Sequence, residues 1–232
     1  MARLKTLSAN AAAALDMLAW CEGTSTHRLT RNDGYDVIVT GIGGTLEILT
    51  DYSAHPFEHG RPAKQINSKG LYSTASGRSQ FILRTWIACR DALKLPDFTP
   101  ESQDRATWYL ITGRKANLLI EAGHIEDAIK LMAPEWASLP GANYANQGMR
   151  TMAQCIAVYE LKGGKQWTSL LPSSEDLPDT PPLPSPPLPP LSDTSQKPSV
   201  ISEKPTKPNS SRTTLKELFA KIVQWLNMNR PS

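Results

Sequence analysis

The stretch AAAALDMLAWCEG, residues 11–23, decides how the rest of the chain is read. Ala11, Leu15, Leu18 and Glu22 recur at helical spacing and share one face, three of them apolar and the fourth an acid. Ser8 or Asn10 can cap the start of such a helix, and Gly23 stands where a left-handed residue closes its end. A carboxylate in the last turn meets the negative end of the helix macrodipole. With Leu18 and Trp20 keeping water away, both effects disfavour the charged form and raise the pKa. That is the condition of a general acid kept protonated near neutral pH. Taken alone, the spacing describes more simply an ordinary exposed glutamate at a fraying helix end.

Working outward, residues 24–34 are polar and turn-rich, and the alternating, β-branched Tyr35–Val39 predicts a strand. Gly41, Gly43 and Gly44 mark a turn from which Thr45–Leu49 can pair back as a hairpin. GIGG is no phosphate loop, since neither a Lys-Ser/Thr pair nor a helix follows it. TDYSAHP (50–56) gathers an acid, an aromatic ring, a hydroxyl and a histidine in one loop, and residues 57–72 read as a basic, irregular, exposed flap. From Ser79 the pattern turns helical: Ser79–Leu95 ended by Pro96, a second helix opened by Thr99-Pro100-Glu101, short helices over 115–122 and 124–133 around Gly123, and Met149–Glu160. Ile125, Ile129 and Met132 share one face. Mostly helical with one small β element, residues 1–165 fall in the α+β class.

Composition narrows the chemistry. At 232 residues the chain can hold one substantial domain with appendages, and a net charge of +3 is too mild to argue for nucleic acid. Cys21, Cys89 and Cys155 have no CxxC spacing, and the histidines form no ligand pattern, so neither a zinc site nor a disulfide framework nor any other cofactor is expected. Arg3 and Lys5 precede an Ala-rich run, but Asp16 interrupts it and no run of 18 apolar residues exists, so neither a cleaved signal nor a membrane span is read.

Residues 166–212 form a linker, in which eight of the thirteen residues from Pro178 to Pro190 are proline, a composition that favours a stiff polyproline II spacer. Residues 213–230 follow with Leu215, Leu218, Phe219, Ile222, Val223 and Leu226 on one face and Lys216, Glu217, Lys221 and Gln224 largely opposite. Six basic against two acidic side chains in 201–232 make this a cationic amphipathic helix, suited to a membrane or outer-membrane surface or else to self-association.

DMLAWCEGT (16–24), RNDGYDVIV (31–39), TDYSAHP (50–56), STASGRSQF (73–81), SQD (102–104) and WASLPGANY (136–144), in this order and spacing, resemble the phage lambda endolysin family over about residues 10–165. The resemblance implies a lysozyme-like fold, with a helical lobe and a small sheet flanking a groove. It also implies lytic transglycosylation of peptidoglycan between N-acetylmuramic acid and N-acetylglucosamine, leaving a 1,6-anhydro end, by a monomer acting without cofactor during host lysis. It places the catalytic acid at Glu22 and implies a host-cytoplasmic enzyme released to the wall once a holin opens the membrane.

By position in these motifs, Tyr35, Asp51, Tyr52, Ser53, Arg78, Gln80, Trp136 and Tyr144 are candidates for binding the glycan. Tyr52 offers a ring and a hydroxyl, while Arg78 and Gln80 offer donors beside the permissive Gly77. Arg78 could equally form a buried ion pair bracing the helix of Glu22. Asp36 and Asp51 remain possible second carboxylates, which leaves hydrolytic muramidase action open beside transglycosylation, and a non-catalytic peptidoglycan-binding protein is the reading from another class. The chain departs from the pattern at Ser79, where relatives often carry Tyr, and in longer 41–48 and 57–72 segments.

Overall fold

The first helix, α1 (Ala9–Cys21), is buried on nearly every side: Ala13, Ala14, Leu15, Asp16, Met17, Leu18 and Ala19 are all inaccessible or almost so. The sequence pattern predicts a single buried face. The alanines explain the difference, because side chains this small let neighbouring backbones close in all round, as a central helix requires. The Ser8 hydroxyl accepts from Ala11 N–H at 3.0 Å and caps the helix. Asn10, the other candidate, is engaged elsewhere: its side chain donates to Glu121 O and accepts from Lys165 N–H.

This computed structural model describes residues 1–142 and 149–167. The Pro-rich linker, the amphipathic segment 213–230 and Tyr144 lie outside the described residues. After α1 come β1 (Val37–Ile38) and β2 (Glu47–Ile48), antiparallel with Val37 opposite Ile48, then β3 (Lys64–Gln65) and β4 (Tyr72–Ser73), also antiparallel. The helices α2 (Leu83–Leu93), α3 (Pro100–Gly113), α4 (Asn117–Glu121), α5 (Ile125–Met132) and α6 (Met152–Leu161) follow. Among the described residues no helix is long and apolar enough to cross a membrane.

The predicted hairpin is present, but Tyr35–Val39 pairs over only two residues. The 57–72 segment is not an irregular flap. It holds the second hairpin, buries Phe57, and ties Arg61 and Lys64 to Glu47 on β2. Those two cations hold the Glu47 carboxyl down at about 2. The helix expected from Ser79 begins at Leu83, because the chain first doubles back on itself. Ser76 pairs with Phe81, with Gly77 and Gln80 both at positive φ. A Cβ on Gly77 would collide with the Gln103 side chain, so its conformational freedom serves an internal contact. The last helix begins at Met152, where Thr151 and Gln154 form a reciprocal capping box.

Two cores result. One surrounds α1 with Ile111 from α3, Ile120 from α4, Ile125, Ile129 and Met132 from α5, and Cys155 and Tyr159 from α6. Each fully buried Leu, Ile or Met contributes about 1.5–3 kcal/mol. The other lies between the hairpins and α2–α3 and is aromatic, with Trp86 edge-on to Phe98 at 4.6 Å and to Phe81 at 5.7 Å.

His55 of TDYSAHP belongs to this second core. It is 1 % exposed, packs edge-on against Phe98, lies 3.0 Å through Nε2 from Phe81 O, and accepts from Phe57 N–H through Nδ1. A neutral ring meets both partners, donating at Nε2 and accepting at Nδ1, whereas a protonated ring would set a second donor against Phe57 N–H. Burial accordingly pulls its pKa from 6.5 down to about 4. A histidine that stays neutral when folded stabilises fully above its unfolded pKa, and that contribution is lost as pH falls. Denaturant unfolding should show stability declining between pH 6.5 and about 4. His55→Asn should be less stable at pH 7 but show a shallower decline across that interval.

Candidate active site

Glu22 is the residue at which α1 ends: its N–H still donates to Leu18 O, and Gly23 follows at φ 73°. The carboxylate is half-buried and takes a 2.6 Å hydrogen bond from the Ser138 hydroxyl. Burial pushes its pKa up, and the Ser138 bond opposes that without cancelling it. The chain beyond Glu22 is held by the buried Thr24, whose hydroxyl lies 3.0 Å from Ala19 O and 2.7 Å from Arg78 O.

Two residues that the sequence reading did not single out complete the neighbourhood. Ser138 lies in WASLPGANY and is positioned through its carbonyl, which accepts from Arg150 N–H at 2.9 Å. The Arg150 guanidinium stacks 4.5 Å above the ring of Trp20, two residues before Glu22. Its Nε finds no hydrogen-bond partner among the described residues. Neither residue has a local signal, since both act through contacts across more than a hundred positions.

Several glycan-binding candidates are structural. Tyr35 has no exposed surface, and its hydroxyl is held by Asp104 at 2.8 and 2.9 Å, so it cannot touch a ligand. Arg78 is 3 % exposed and pairs with Asp16 at 2.8 Å, while Nε donates to Asp33 O and the guanidinium lies 5.1 Å over the Tyr35 ring. Of its two readings, the buried brace is the one the geometry supports. Trp136 is 5 % exposed and donates from Nε1 to Ser79 O at 3.2 Å, so it is buried packing and not an exposed glycan contact. The Gln80 amide is turned back onto Gly77 O. Ser79, the departure from the family pattern, is buried against Thr107 at 2.8 Å.

The 50–56 loop keeps its accessible polar groups. The half-buried Tyr52 ring packs against the second core while its hydroxyl accepts from Asn32 Nδ2 at 2.9 Å. Asp51 is exposed and both its oxygens are drawn onto Ser53, by the N–H at 2.8 Å and the hydroxyl at 3.0 Å, which holds its carboxyl below the usual range. Asp36 is 2 % exposed and accepts from the Thr30 hydroxyl and Arg31 N–H. Among the described residues no group of three His, Cys, Asp or Glu side chains converges as a metal site.

The endolysin family model matches residues 12–166. The chain belongs to the endolysin family. It is 54 % identical over 155 residues to the endolysin of Escherichia phage P2, covering 67 % of this chain and 93 % of that one. It is 46 % identical over 151 residues to the endolysin of Escherichia phage lambda, covering 65 % and 89 %. The bacteriophage lambda lysozyme complexed with a chitohexasaccharide superposes with a TM-score of 0.63 at 42 % identity, over 71 % of this chain and all of that one. A second structure, the lysozyme from bacteriophage lambda, gives 0.60 at 41 % identity over the same shares. The lysozyme-like, α+β architecture therefore accompanies the family membership.

Arg78→Met distinguishes brace from ligand. As a brace, its loss strands Asp16 unpaired in the core and should lower stability by about 3–5 kcal/mol in denaturant titrations. A purely ligand-binding arginine would leave unfolding unchanged and weaken oligosaccharide binding alone.

Proposed function

We propose that this endolysin cleaves the β-1,4 bond between N-acetylmuramic acid and N-acetylglucosamine of peptidoglycan by lytic transglycosylation, with Glu22 as the single acid–base group. The observation that carries this reading is the half-buried Glu22 carboxyl, raised in pKa by burial and reachable from solvent at the end of α1. The lambda lysozyme complexed with a chitohexasaccharide supports a glycan as the substrate class.

Protonated Glu22 donates to the glycosidic oxygen as an oxocarbenium-like centre develops. The muramic acid's own 6-hydroxyl then attacks that centre intramolecularly, at the high effective concentration its tether provides, and ionised Glu22 accepts the hydroxyl proton. Ser138 donates to the carboxylate, so its bond strengthens in this second role, when Glu22 is charged. No other carboxylate is required. Asp36 is buried among its own donors and Asp51 is folded onto Ser53, which favours transglycosylation over a hydrolase that needs a second acid to orient water.

Mass analysis of fragments released from peptidoglycan tests the product: 1,6-anhydro ends are expected, and reducing ends carrying added water would mean muramidase hydrolysis. Glu22→Gln should lose about 10²–10⁴-fold in rate. The same variant should be at least as stable as the parent at pH 7, because it no longer buries a charge. A carboxyl whose folded pKa is raised costs stability as pH rises above its unfolded value, a cost that is complete above the folded pKa, so the variant's advantage should vanish in acid, where Glu22 is protonated in both states.

We further infer that the protein remains in the host cytoplasm until the membrane opens, and that segment 213–230 then holds it against an anionic membrane or outer-membrane surface. Vesicles containing anionic lipid should retain the intact chain and not a chain ending at Lys165; equal retention would remove the surface role.

A further inference from the structure

Cys21 ends α1 directly before Glu22, and Cys155 lies in the first turn of α6. Their sulfurs are 3.5 Å apart, although 134 positions separate them in the chain. We propose that Cys21 and Cys155 form a disulfide site, closed by thiol–disulfide exchange with a small or protein disulfide, which ties the Glu22 end of α1 to α6.

The two thiols are more than small apolar filling. A hydrogen bond from Cys21 and the positive charge of Arg150 hold the Cys155 thiol below its ordinary range, while the Cys155 partner and burial push Cys21 up. The pair thus has one sulfur biased toward the nucleophilic thiolate and a second biased to remain a thiol until the first has reacted. Cys89 supplies an internal contrast. It is equally buried, sits in the aromatic core with no sulfur-to-sulfur contact among the described residues, and is pushed up to about 11 by burial.

The chemistry balances without any group from outside the named reactants. The Cys155 thiolate attacks one sulfur of the oxidant, a new S–S bond forms, and the oxidant's other sulfur leaves with the electron pair as a thiolate. Cys21 then gives up its proton and attacks Cys155 Sγ, expelling the second oxidant sulfur. Two protein thiols become one disulfide, and the oxidant is reduced to two thiols. Closing the bond brings the sulfurs from 3.5 Å to about 2.05 Å. Cys21 is 4 % exposed and Cys155 fully buried, so the attack proceeds through opening of the α6 N-terminal turn, a helix end of the kind that opens at low cost. In a reducing compartment the pair stays open, and in an oxidising one it closes.

The test uses the full chain, purified reduced and then incubated with oxidised glutathione at neutral pH, in buffer and in urea below the unfolding transition. Free thiols are counted after unfolding, and proteolytic peptides are mapped by mass. The expected result is a fall from three free thiols to one, a peptide pair joining Cys21 to Cys155, an unmodified Cys89, and an unfolding midpoint raised by at least about 4 °C. Cys155→Ser should show no oxidant-dependent rise. Three thiols surviving both conditions, a glutathione adduct that never resolves, a bond involving Cys89, no rise in the midpoint, or the same rise in Cys155→Ser would each overturn the assignment.

Discussion

The ion pair between Asp16 and Arg78 is the constraint from which the rest of this structure follows. It joins the middle of the buried helix α1 to the doubled-back turn at 76–81, with less than 5 % of either side chain exposed. Removing two charges from water costs several kcal/mol per ion, so such a pair persists only where the remaining donors and acceptors are satisfied. Here they are. Arg78 also donates to Asp33 O and lies over Tyr35, Asp16 accepts from Ala2 N–H, and Arg78 N–H donates to Gln103. Asp104 continues the network by accepting from Arg3 and Leu4 N–H and from the Tyr35 hydroxyl. The N-terminus, α1, the first hairpin and α3 are thereby locked in one register, and Glu22, six positions after Asp16, inherits its place from that lock.

The same network separates structural carboxylates from the one proposed to do the chemistry. Asp16, Asp36 and Asp104 are each close to 2 % exposed, and each accepts from two or more groups of the protein. Asp104 is raised in pKa by its burial, much as Glu22 is, yet nothing outside the protein can reach it. Glu22 has one donor among the described residues, Ser138, and a face open to solvent. A raised pKa is therefore not sufficient to mark a site; the oxygen must also be reachable.

What was legible in the sequence was what depends on near neighbours. Apolar recurrence located α1 and α5, the Thr99-Pro100-Glu101 start signal located α3, the glycines at 41–44 located the first hairpin, and the terminal position of Glu22 on α1 followed from period and Gly23. The second hairpin escaped because its two-residue strands, Lys-Gln and Tyr-Ser, carry no apolar alternation; their pairing depends on contacts with Glu47. Ser79–Phe81 looked helical because Ser79 and Ile82 fall in phase with Trp86 and Cys89 of α2, whereas the backbone pairing of Phe81 to Ser76 decides the conformation there. The motif resemblance located residues without distinguishing their duties. Tyr35, Arg78 and Trp136 sit in segments near the site, but all three face inward, and burial is a long-range property that a motif does not record. The Thr151–Gln154 capping box was the one local signal present in the sequence and passed over.

The site is thus assembled from three segments, two of which meet the end of the first. α1 supplies Glu22 and Trp20, the loop before Pro140 supplies Ser138, and the start of α6 supplies Arg150 and, behind it, Cys155. The Ser138 carbonyl bonded to Arg150 N–H joins the second segment to the third, so the donor that tempers the acid depends on where α6 begins. α1 itself is braced by the buried Asp16–Arg78 pair, six positions before Glu22. The loop reaches Glu22 through Ser138, and the segment before α6 reaches Trp20 through Arg150, without any such buried ion pair among the described residues. A carboxyl on a braced helix, faced by a donor on a separate loop, suits the proposed single-carboxylate mechanism: the proton's origin would stay in place while the environment that sets its affinity changes between the two transfers.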